Sequence, residues 1–491
     1  MKAIIMAGGE GTRLRPLTCN LPKPMVPVAN RPMMEYCVAL LKRNGIRDIG
    51  VTLRYLPETI IEHFGDGSDF GVKMCYFVED SPLGTAGSVK NAGSFLDQTF
   101  VVVSGDALTD INLSEAIKFH KERGAIATIV LTRVNCPLEY GVVITGEEGR
   151  IRRFLEKPGW GEVFSDTVNT GIYVLEPEVL DYFGAGQNFD FSKDLFPHLL
   201  KENKPLYGYV IDGYWCDIGG LEVYLQAHRD ILSGAVQVDL PGKQVRSAVW
   251  IEEGASVHPD ARLEGPLVVG KHTEICSGAH VGAFTVLGRG CAVQSGASLK
   301  RSVVWNHCFV GKKTTLRGAV LANKVQVQAH AGIYEGAVVG DNSVIKERSL
   351  LKPGVKLWPH KTVEVGTTVY ESLVWGNGMP QRLFGTEGVV GLANLEITPE
   401  FVVRLGACFG SVLGRKATVG VSSDIYPVSR MMKAALLSGL QSVGVKVKDF
   451  GEGTTPMHRF AVGRFACHGG AHILLSTRDP EKLRLVFTDA E

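Results

Sequence analysis

The chain has few of the features that mark nucleic-acid-binding, membrane or disulfide-rich proteins. Charge of one sign is not in excess, because 52 Lys and Arg stand against 51 Asp and Glu, and no basic tract is long enough to follow a nucleic-acid backbone. No apolar run approaches membrane-spanning length, and the short one at residues 3–7 is too brief for a signal peptide. The ten Cys are scattered singly, without CxxC pairs or the Cys/His spacing of a zinc site. These absences predict a soluble, cytoplasmic protein with reduced thiols and with no nucleic-acid or membrane partner.

Residues 1–235 alternate short apolar runs with amphipathic stretches. KAIIMA at residues 2–7, IGVTL at 49–53 and FVVVSGD at 100–106 have the length and composition of strands, and the helix-like MMEYCVALLKRNG lies between the first two. This alternation predicts an α/β domain of Rossmann-like type, with a mixed, mainly parallel sheet and helices on both faces. Ligands of such sheets bind beyond the carboxyl ends of the strands. We therefore expect the chemistry where KAIIMA enters GGEGTR and where FVVVSGD enters ALTD.

Residues 245–375 carry a six-residue period. A hexapeptide period is typical of coils with three short strands, each of which sends one aliphatic side chain inward. The segment resembles the left-handed parallel β-helix of hexapeptide-repeat proteins. We expect its flat faces or its end coil to mediate homo-oligomerisation, since stacked coils leave exposed strand edges and extended faces. The period is re-phased once, through Val304, Val310 and Leu316. The two regular series are Ile251, Val257, Leu263, Val269, Ile275, Val281, Leu287, Val293 and Leu299, then Leu321, Val327, Ile333, Val339, Ile345, Leu351, Leu357, Val363 and Val369.

The loop GGEGTR follows the first predicted strand and contains three glycines, Gly8, Gly9 and Gly11. Without a Cβ, these residues let backbone N–H groups approach a triphosphate, and Arg13 adds a forked positive charge. A glycine-rich turn alone is a weak signal, but here GGEGTRLRPLT is followed by LPKPMVPV. The longer string resembles the signature of the sugar-1-phosphate nucleotidyltransferases, and the resemblance covers most of residues 1–230.

Further motifs of that family follow in the same order along the chain. They are PLGTAG at residues 82–87, SGD at 104–106, EYGVV at 139–143, EKP at 156–158, NTGIY at 169–173 and YWCDIG at 214–219. The resemblance is strongest to the mannose-1-phosphate guanylyltransferase branch. It implies transfer of a nucleotidyl group from an NTP, with GTP favoured, to a sugar 1-phosphate, with mannose 1-phosphate favoured. A glucose-1-phosphate uridylyl- or adenylyltransferase is the nearest alternative, and a non-catalytic regulatory subunit is an alternative of another class.

Two aspartates lie where a cation is expected. Asp106 ends an apolar strand, and Asp217 follows an aromatic pair in a turn before a predicted helix. Taken singly, each is more often a helix cap or a turn residue. Two carboxylates that converge at a sheet edge can hold Mg²⁺, which keeps several waters and otherwise binds phosphate oxygens. The family motifs favour this second interpretation.

The resemblance assigns roles to the remaining residues of the site. Arg13 and Lys23 would neutralise the triphosphate and the departing pyrophosphate, and Lys157 would hold the phosphate of the sugar 1-phosphate. The catalytic set implied is Arg13, Lys23, Asp106, Lys157 and Asp217. The nucleotide-binding set is Ala7, Gly8, Gly9, Gly11, Thr12, Arg13, Glu79, Gly84 and Thr85. The sugar-phosphate-binding set is Gly141, Glu156, Lys157 and Asn169.

The choice of base is predicted from the segment FVEDS, which lies along the nucleobase in this family. It brings Glu79 and Asp80 within reach of the base. An ionised carboxylate accepts the adjacent N–H donors of guanine well, whereas the uracil carbonyls and adenine N1 would face it unfavourably. Glu79 therefore favours GTP, and the alternative that both acids only solvate a loop stays open.

Residues 377–491 return to an α/β pattern after the hexapeptide period has stopped. FGTEGVVG at 384–391, the TPE that follows and the late TRDP resemble the first domain of phosphomannomutases and phosphoglucomutases. The phosphorylated serine of that family lies in a Ser-His-Asn-Pro loop, whereas the matching residues here are Thr477, Arg478, Asp479 and Pro480. Val390 replaces the usual Arg, and the acidic metal loop of the family is absent from the sequence. We expect no mutase activity from this chain.

Overall fold

The structure is a computed structural model, and it describes residues 1–134, 136–156, 159, 165–374, 378–379, 384, 388–394, 396–476 and 482–489. The chain divides into two compact units. The first is Met1–His360 with Thr368–Ser372, and the second is Lys361–Thr367 with Leu373–Glu491. Among the described helices, none combines the length and the apolar character that a bilayer crossing needs.

Residues 1–235, the predicted first domain and called the N-terminal domain below, contain a nine-stranded mixed sheet. Its elements in chain order are β1 (Lys2–Met6), β2 (Pro27–Val28), β3 (Arg31–Pro32), α1 (Met33–Arg43), β4 (Asp48–Leu53), α2 (Pro57–Phe64), β5 (Lys73–Val78), α3 (Gly84–Asn91), β6 (Phe100–Ser104), β7 (Ala107–Thr109), α4 (Leu113–Glu122), β8 (Ala127–Arg133), β9 (Gly141–Thr145), β10 (Ile151–Glu156), β11 (Thr167–Leu175), α5 (Phe196–Lys201), β12 (Leu206–Val210), β13 (Trp215–Asp217) and α6 (Leu221–Ser233). The sheet order is β10-β9-β11-β6-β1-β4-β5, and β8 joins β12 to β11. Alternate residues of β1 enter opposite cores: Ile5 packs with residues of α1, α2 and α4, and Ile4 packs with residues of α3 and α5. Helices therefore cover both faces, as the sequence predicts.

The strand directions bring the predicted chemistry to one edge of this sheet. β1, β4, β5 and β6 are parallel, so their carboxyl ends lie side by side. Beyond β6 the chain enters β7, which pairs antiparallel with β13 and places Asp217 opposite Ala107. Two motifs more than 100 residues apart in sequence thus meet at the end of β6.

Residues 249–369 form a parallel β-helix of three sheets, and this confirms the prediction from the six-residue period. β14 (Lys243–Arg246) pairs antiparallel with the first strand of the first sheet. The first sheet then contains β15 (Val249–Ile251), β18 (Leu267–Val269), β21 (Thr285–Leu287), β24 (Val303–Val304), β27 (Val320–Leu321), β30 (Val338–Val339) and β33 (Lys356–Leu357). The second contains β16 (Ser256–Val257), β19 (Glu274–Ile275), β22 (Ala292–Val293), β25 (Phe309–Val310), β28 (Gln326–Val327) and β31 (Val344–Ile345). The third contains β17 (Arg262–Leu263), β20 (His280–Val281), β23 (Ser298–Lys300), β26 (Thr315–Arg317), β29 (Gly332–Ile333), β32 (Leu350–Leu351) and β35 (Thr368–Val369).

The pairing of strands explains the re-phasing of the period. Val269 pairs with Leu287, eighteen positions later, whereas Leu287 pairs with Val304 and Val304 with Leu321, each seventeen positions later. The two shortened bends contain Arg301 and Gly318, which lie on adjacent coils with φ values of 54° and 57°. One residue is therefore missing from the same corner of two successive coils. Other corners with positive φ hold the histidines His272, His330 and His360, which lie on separate coils.

The N-terminal domain and the first β-helix sheet share an apolar core. Trp305, which follows β24, donates from its indole Nε1 to Tyr224 Oη in α6 (2.9 Å), and both residues are buried. Around this pair, buried residues of the signature loop and of α6 pack against the outward-facing valines of the first sheet. Asn30, in the turn between β2 and β3, donates to the carbonyl oxygen of Leu287 (2.8 Å). These contacts join the two predicted domains in one compact unit.

The second unit contains a five-stranded sheet with the order β37-β41-β40-β38-β39. Outside this sheet, β34 (Thr362–Val363) of the same unit pairs with β36 (Gly378–Met379). The elements that follow in chain order are β37 (Val389–Leu392), α7 (Pro399–Leu413), β38 (Thr418–Ser423), α8 (Pro427–Ser442), β39 (Lys446–Glu452), α9 (Thr455–Arg464), β40 (Gly469–Leu475) and β41 (Lys482–Thr488). This is the α/β domain that the sequence predicts. The residues Thr477, Arg478, Asp479 and Pro480 lie outside the described residues.

A buried polar cluster lies under this sheet. Ser422 Oγ shares hydrogen bonds with the Nδ1 atoms of His458 (2.7 Å) and His472 (2.8 Å). Desolvation lowers the pKa of both imidazoles, that of His458 to about 4. Both histidines are therefore neutral at pH 7.

Candidate active site

The glycine-rich loop leaves β1 at the carboxyl edge of the sheet. Ala7 N donates to Thr52 O (3.0 Å), which extends the β1–β4 ladder by one residue before the loop begins. Gly11 has a φ of +64°, and a Cβ at this position would lie 2.9 Å from Lys23 Cβ. A larger residue at this position would be strained in its backbone and would press on Lys23. The predicted nucleotide-binding residues Ala7, Gly8, Gly9, Gly11 and Thr12 thus lie on one loop that passes over Lys23.

Lys23, Asp106 and Asp217 form the centre of the site. Lys23 Nζ makes a short ion pair with Asp106 Oδ2 and a second ion pair with Asp217 Oδ1 at 3.4 Å. Ser104 Oγ donates to the other oxygen of the Asp106 carboxylate. The three residues come from the signature loop, the end of β6 and the end of β13. The structure therefore brings together the predicted metal pair and one of the predicted lysines.

The charges of these three side chains are coupled. Desolvation raises the pKa of Asp217, and the Asp106 carboxylate raises it further. Desolvation also opposes ionisation of Asp106, but the charge and hydrogen bond of Lys23 outweigh it and lower the pKa of Asp106. Lys23 is desolvated as well, yet the two carboxylates raise its pKa, so the ammonium stays charged. Two acids share one cation, and the raised pKa of Asp217 indicates that this cation alone does not balance both.

The donor set suits a hard divalent cation. Carboxylate oxygens are the ligands that Mg²⁺ prefers, and Mg²⁺ commonly takes one or two of them together with water and phosphate oxygens. Within the described part of the chain there is no group of three or more His, Cys, Asp or Glu side chains placed to hold a metal. Asp106 and Asp217 therefore fit an ion that is held partly by its substrate, and they do not fit a structural metal.

Arg13 lies on the open side of this centre. A Cβ at Gly219 would lie 3.0 Å from Arg13 Nη2, so Gly219 leaves room for the guanidinium beside the β13 turn. Arg13 Nη1 is 3.5 Å from Glu139 Oε2, and both side chains are largely exposed. Arg13 can therefore leave Glu139 for an anionic ligand at little cost.

Gly141, Glu156 and Asn169 lie on three adjacent antiparallel strands. Gly141 pairs with Glu156 across β9 and β10, and β11 borders β9 on its other side. A Cβ at Gly141 would lie 2.7 Å from Glu156 Oε2 and 3.5 Å from Asn169 Cβ. The predicted sugar-binding residues Gly141, Glu156 and Asn169 thus form one continuous patch, in which a side chain at position 141 would press on Glu156 and Phe154. Lys157, which follows Glu156, lies outside the described residues.

Glu79 is engaged by its own chain. The residue is 8% exposed, and its carboxylate accepts hydrogen bonds from Ser88 Oγ and from Leu83 N (3.4 Å). Desolvation raises the pKa of Glu79. A carboxylate bonded in this way would have to give up an internal partner to bind a base. Asp80, the next residue, is exposed.

Gly84 and Thr85 start α3 beside Glu79. Gly84 has a φ of +71°, and a Cβ there would clash with Phe189 O at 2.6 Å. Thr85 Oγ1 donates to Asp190 Oδ2 (2.9 Å). These contacts fix the PLGTAG turn against residues 187–191.

Two residues outside the predicted catalytic and binding sets also belong to the site. Ser104 supports Asp106, as described above. Arg54 follows β4 at the same sheet edge, and its Nη2 is 3.2 Å from Glu10 Oε1 in the glycine-rich loop. Arg54 directly follows the predicted strand at residues 49–53, which pairs with β1. This position at the carboxyl end of a strand is the signal from which Arg54 could have been predicted.

Known proteins resemble the chain in the region of this site and beyond it. A sequence profile described as Nucleotidyl transferase matches residues 2–234. A UTP–glucose-1-phosphate uridylyltransferase from Synechocystis sp. is 40% identical over 355 residues, which span 69% of this chain and 90% of that protein. The chain belongs to the nucleotidyl transferase family. Two mannose-1-phosphate guanylyltransferases are also similar to this nucleotidyl transferase: that of Mycobacterium tuberculosis is 35% identical over 61% of the chain and 83% of its own length, and that of Candida albicans is 34% identical over 74% and 97%.

The other two parts of this nucleotidyl transferase match profiles of their own. Residues 246–351 match the EIF2B subunit epsilon LbH domain, which agrees with the left-handed β-helix predicted from the hexapeptide period. Residues 381–490 match the alpha/beta/alpha domain I of phosphoglucomutase/phosphomannomutase. The sequence prediction of an N-terminal transferase fold, a β-helix and a mutase-like domain is confirmed.

Proposed function

We propose that this nucleotidyl transferase joins an NTP to a sugar 1-phosphate, making a nucleotide sugar and pyrophosphate, and that its substrates are GTP and mannose 1-phosphate. The observation that carries the proposal is the meeting of Arg13, Lys23, Asp106 and Asp217 at the carboxyl edge of the sheet, next to the patch of Gly141, Glu156 and Asn169. Cations and acids of this kind serve phosphate chemistry, and the adjoining polar patch suits sugar hydroxyls.

The reaction needs positioning and charge neutralisation more than proton transfer. A phosphate oxygen of the sugar 1-phosphate forms a bond to the α-phosphorus of the NTP, and the bond from that phosphorus to the β-phosphate oxygen breaks. No general base is required, because the attacking oxygen is already ionised. Lys23 and Arg13 stabilise the negative charge that develops on the departing pyrophosphate. Lys157 is proposed to hold the phosphate of the acceptor.

A divalent cation belongs to this proposal, with Mg²⁺ as its identity. Asp106 and Asp217 would hold it, and when bound it would neutralise phosphate charge. Before the substrate arrives, Lys23 is the cation that these two carboxylates share.

The relatives support two pairs of substrates. Guanylyltransferases from a bacterium and a fungus support GTP and mannose 1-phosphate, and the relative of 40% identity supports UTP and glucose 1-phosphate as the second candidate. Release of pyrophosphate, measured for each of four NTPs with mannose 1-phosphate and glucose 1-phosphate, decides between them. A highest kcat/KM for GTP with mannose 1-phosphate supports the proposal, and a highest value for UTP with glucose 1-phosphate replaces it.

The role of Glu79 is tested separately. Glu79→Gln keeps a carbonyl oxygen that can accept from Leu83 N but removes the negative charge. If Glu79 reads guanine, the ratio of kcat/KM for GTP to that for UTP falls about tenfold or more, as expected for a lost charged hydrogen bond to substrate. An unchanged ratio assigns Glu79 to the support of the PLGTAG turn. Asp80→Asn, which removes an exposed acid next to it, is the matched control.

A further inference from the structure

The cleft beside Arg13 is closed on its far side by the β-helix. A cavity of about 480 Å³ is lined by residues of the N-terminal domain and of the β-helix. The N-terminal domain contributes Arg13 together with the acids Glu139, Asp217 and Glu222, and the β-helix contributes Gly336, Val338, Gly354 and Lys356. Both walls belong to the same compact unit. Asp217, one of the two predicted metal ligands, therefore borders a space that the N-terminal domain does not enclose alone.

Among the four β-helix residues that line the cavity, Lys356 has the longest side chain and the only charged one. Val338 and Lys356 are paired neighbours in β30 and β33, and Val338 is buried. Gly336 and Gly354 occupy the corners before these strands with φ values of +72° and +75°, and a Cβ at Gly354 would meet nothing within 4 Å. The corner at Gly354, two residues before Lys356, therefore leaves open space next to this strand.

Lys356 is a cation held in place by its backbone. Its N–H donates to Ser372 Oγ (2.9 Å), and its strand is fixed by pairing with β30. Arg13 has Glu139 as an ion-pair partner and Lys23 has two acids, whereas no acidic side chain among the described residues forms an ion pair with Lys356. An ammonium without an acid, facing a site for phosphates, is available for an anionic ligand.

We propose that Lys356 binds the terminal phosphates of the NTP and the pyrophosphate product, so that the β-helix supplies part of the active site. This inference rests on the proposed function. In this arrangement the α-phosphate lies where Asp106, Asp217 and Lys23 meet, and Arg13 lines the cavity that Asp217 and Lys356 share. The β- and γ-phosphates therefore extend towards Lys356, while the sugar 1-phosphate occupies the patch around Gly141. The pyrophosphate leaves between Arg13 and Lys356.

The test compares three variants with the wild-type chain. Lys356→Gln removes the charge, Lys356→Arg keeps it, and Lys352→Gln is the matched control, since Lys352 lies on the same coil but extends over the ring of Tyr370. Titration calorimetry with magnesium pyrophosphate measures the subsite without turnover. Binding about tenfold weaker in Lys356→Gln, near normal in the other two variants, is the expected result for loss of one charged contact.

Kinetics separate this inference from the proposed function. In Lys356→Gln, the KM for the NTP and for pyrophosphate in the reverse reaction rises, while the KM for the sugar 1-phosphate stays within twofold. Equal pyrophosphate binding by wild type and Lys356→Gln overturns the role of Lys356, whatever the enzyme's activity. A wild-type chain that binds pyrophosphate through Lys356 but turns over no NTP would overturn the proposed function and leave the subsite standing.

Discussion

Lys23 occupies the position between two carboxylates that repel each other. Its ammonium lowers the pKa of Asp106, while the pKa of Asp217 stays raised because desolvation and the charge of Asp106 together outweigh the effect of Lys23. Removing either acid leaves Lys23 paired with the other, so the free protein tolerates the loss. The proposed catalytic complex does not, because each acid is one of two protein ligands for the cation.

Asp106→Asn and Asp217→Asn are each expected to lower turnover by at least about 10²-fold, the scale seen when a group that stabilises transition-state charge is removed. The amide keeps the size of the side chain, so circular dichroism and the melting temperature stay close to wild type. Pyrophosphate release measures the effect. The control is Asp97→Asn, which removes an exposed acid paired with Lys2. Near-normal turnover in both active-site variants would remove the metal assignment.

At the residue scale, the sequence predicted which residues belong to the site better than it predicted the hydrogen bonds between them. Asp106 could be predicted because it ends an apolar strand, and Asp217 because it follows an aromatic pair in a turn before a helix, each within a motif of the family. The bond from Ser88 to Glu79 could not be predicted in the same way. It depends on how α3 packs beside β5, and the residues between them in sequence do not fix that packing.

The signature loop is anchored to the β-helix at Asn20, three residues before Lys23. Asn20 Nδ2 donates to Asp341 Oδ2 (3.3 Å), and Asp341 Oδ1 accepts from Asn323 N (2.8 Å). Asp341 is buried, so a second carboxylate opposite it would be strongly disfavoured. The contact gives the β-helix a means of positioning the loop that carries Arg13 and Lys23.

Asn20→Asp is expected to lower kcat/KM for the NTP about tenfold, because a new carboxylate then faces the buried carboxylate of Asp341 and the contact that holds the loop is lost. Adding Asp341→Asn restores an amide–carboxylate pair with its partners exchanged, and activity recovers. Asn342→Asp, which places a charge on the neighbouring exposed residue, serves as the control. If the double variant were no better than Asn20→Asp, the pair would have no positioning role.

The second unit has a pH dependence built into β38, α9 and β40. Unfolded histidines have a pKa near 6.5, whereas His458 and His472 are held neutral in the fold with lowered pKa values. Arg459 also opposes the charge of His458, while Asp424 favours that of His472. Below pH 6.5 the unfolded state binds more protons than the folded state, so stability is full above this pH and falls as the pH drops towards about 4.

Hydrogen exchange of the β38 and β40 amides measures this effect locally. Protection is expected to be lower at pH 5.0 than at pH 7.5, and the difference shrinks in His458→Gln, which cannot be protonated. His468→Gln, at an exposed histidine in the same unit, keeps the wild-type difference. Equal protection at both pH values in the wild-type chain would contradict the prediction.

At the element scale, the hexapeptide period predicted the β-helix, because each periodic residue is an inward-facing one and its spacing is a property of the chain alone. The hexapeptide period does not predict the core that the β-helix shares with the N-terminal domain. Trp305 and the valines on the outer side of the first sheet follow no separate period, and their partner Tyr224 is about 80 residues away.

For the whole molecule, this shared core predicts the outcome of removing the β-helix. A chain that ends at Ser233 would expose Leu14, Leu17, Ile218 and Tyr224, all at most 1% exposed in the intact unit. Apolar patches of this kind lead to aggregation. We also propose that the β-helix carries the contacts of a homo-oligomer. Light scattering is expected to show aggregates for the chain ending at Ser233 and a defined oligomer for the one ending at Ser372. A soluble shorter chain with the same oligomeric state would make the β-helix a spacer.

The number of coils in the β-helix also sets the distance of Lys356 from the N-terminal domain. Lys356 lies on the seventh strand of a sheet whose earlier strands, from β18 onwards, are fixed against the N-terminal domain, and each coil adds about 4.8 Å. Loss of a single residue is absorbed at a corner, as at Arg301 and Gly318, without changing the number of steps. Loss or gain of a whole coil would instead move Lys356 by one full step relative to Arg13. The span of this cleft therefore changes only in steps of one coil, and under the proposed role of Lys356 a chain with one coil more or fewer would place a different residue opposite the phosphates.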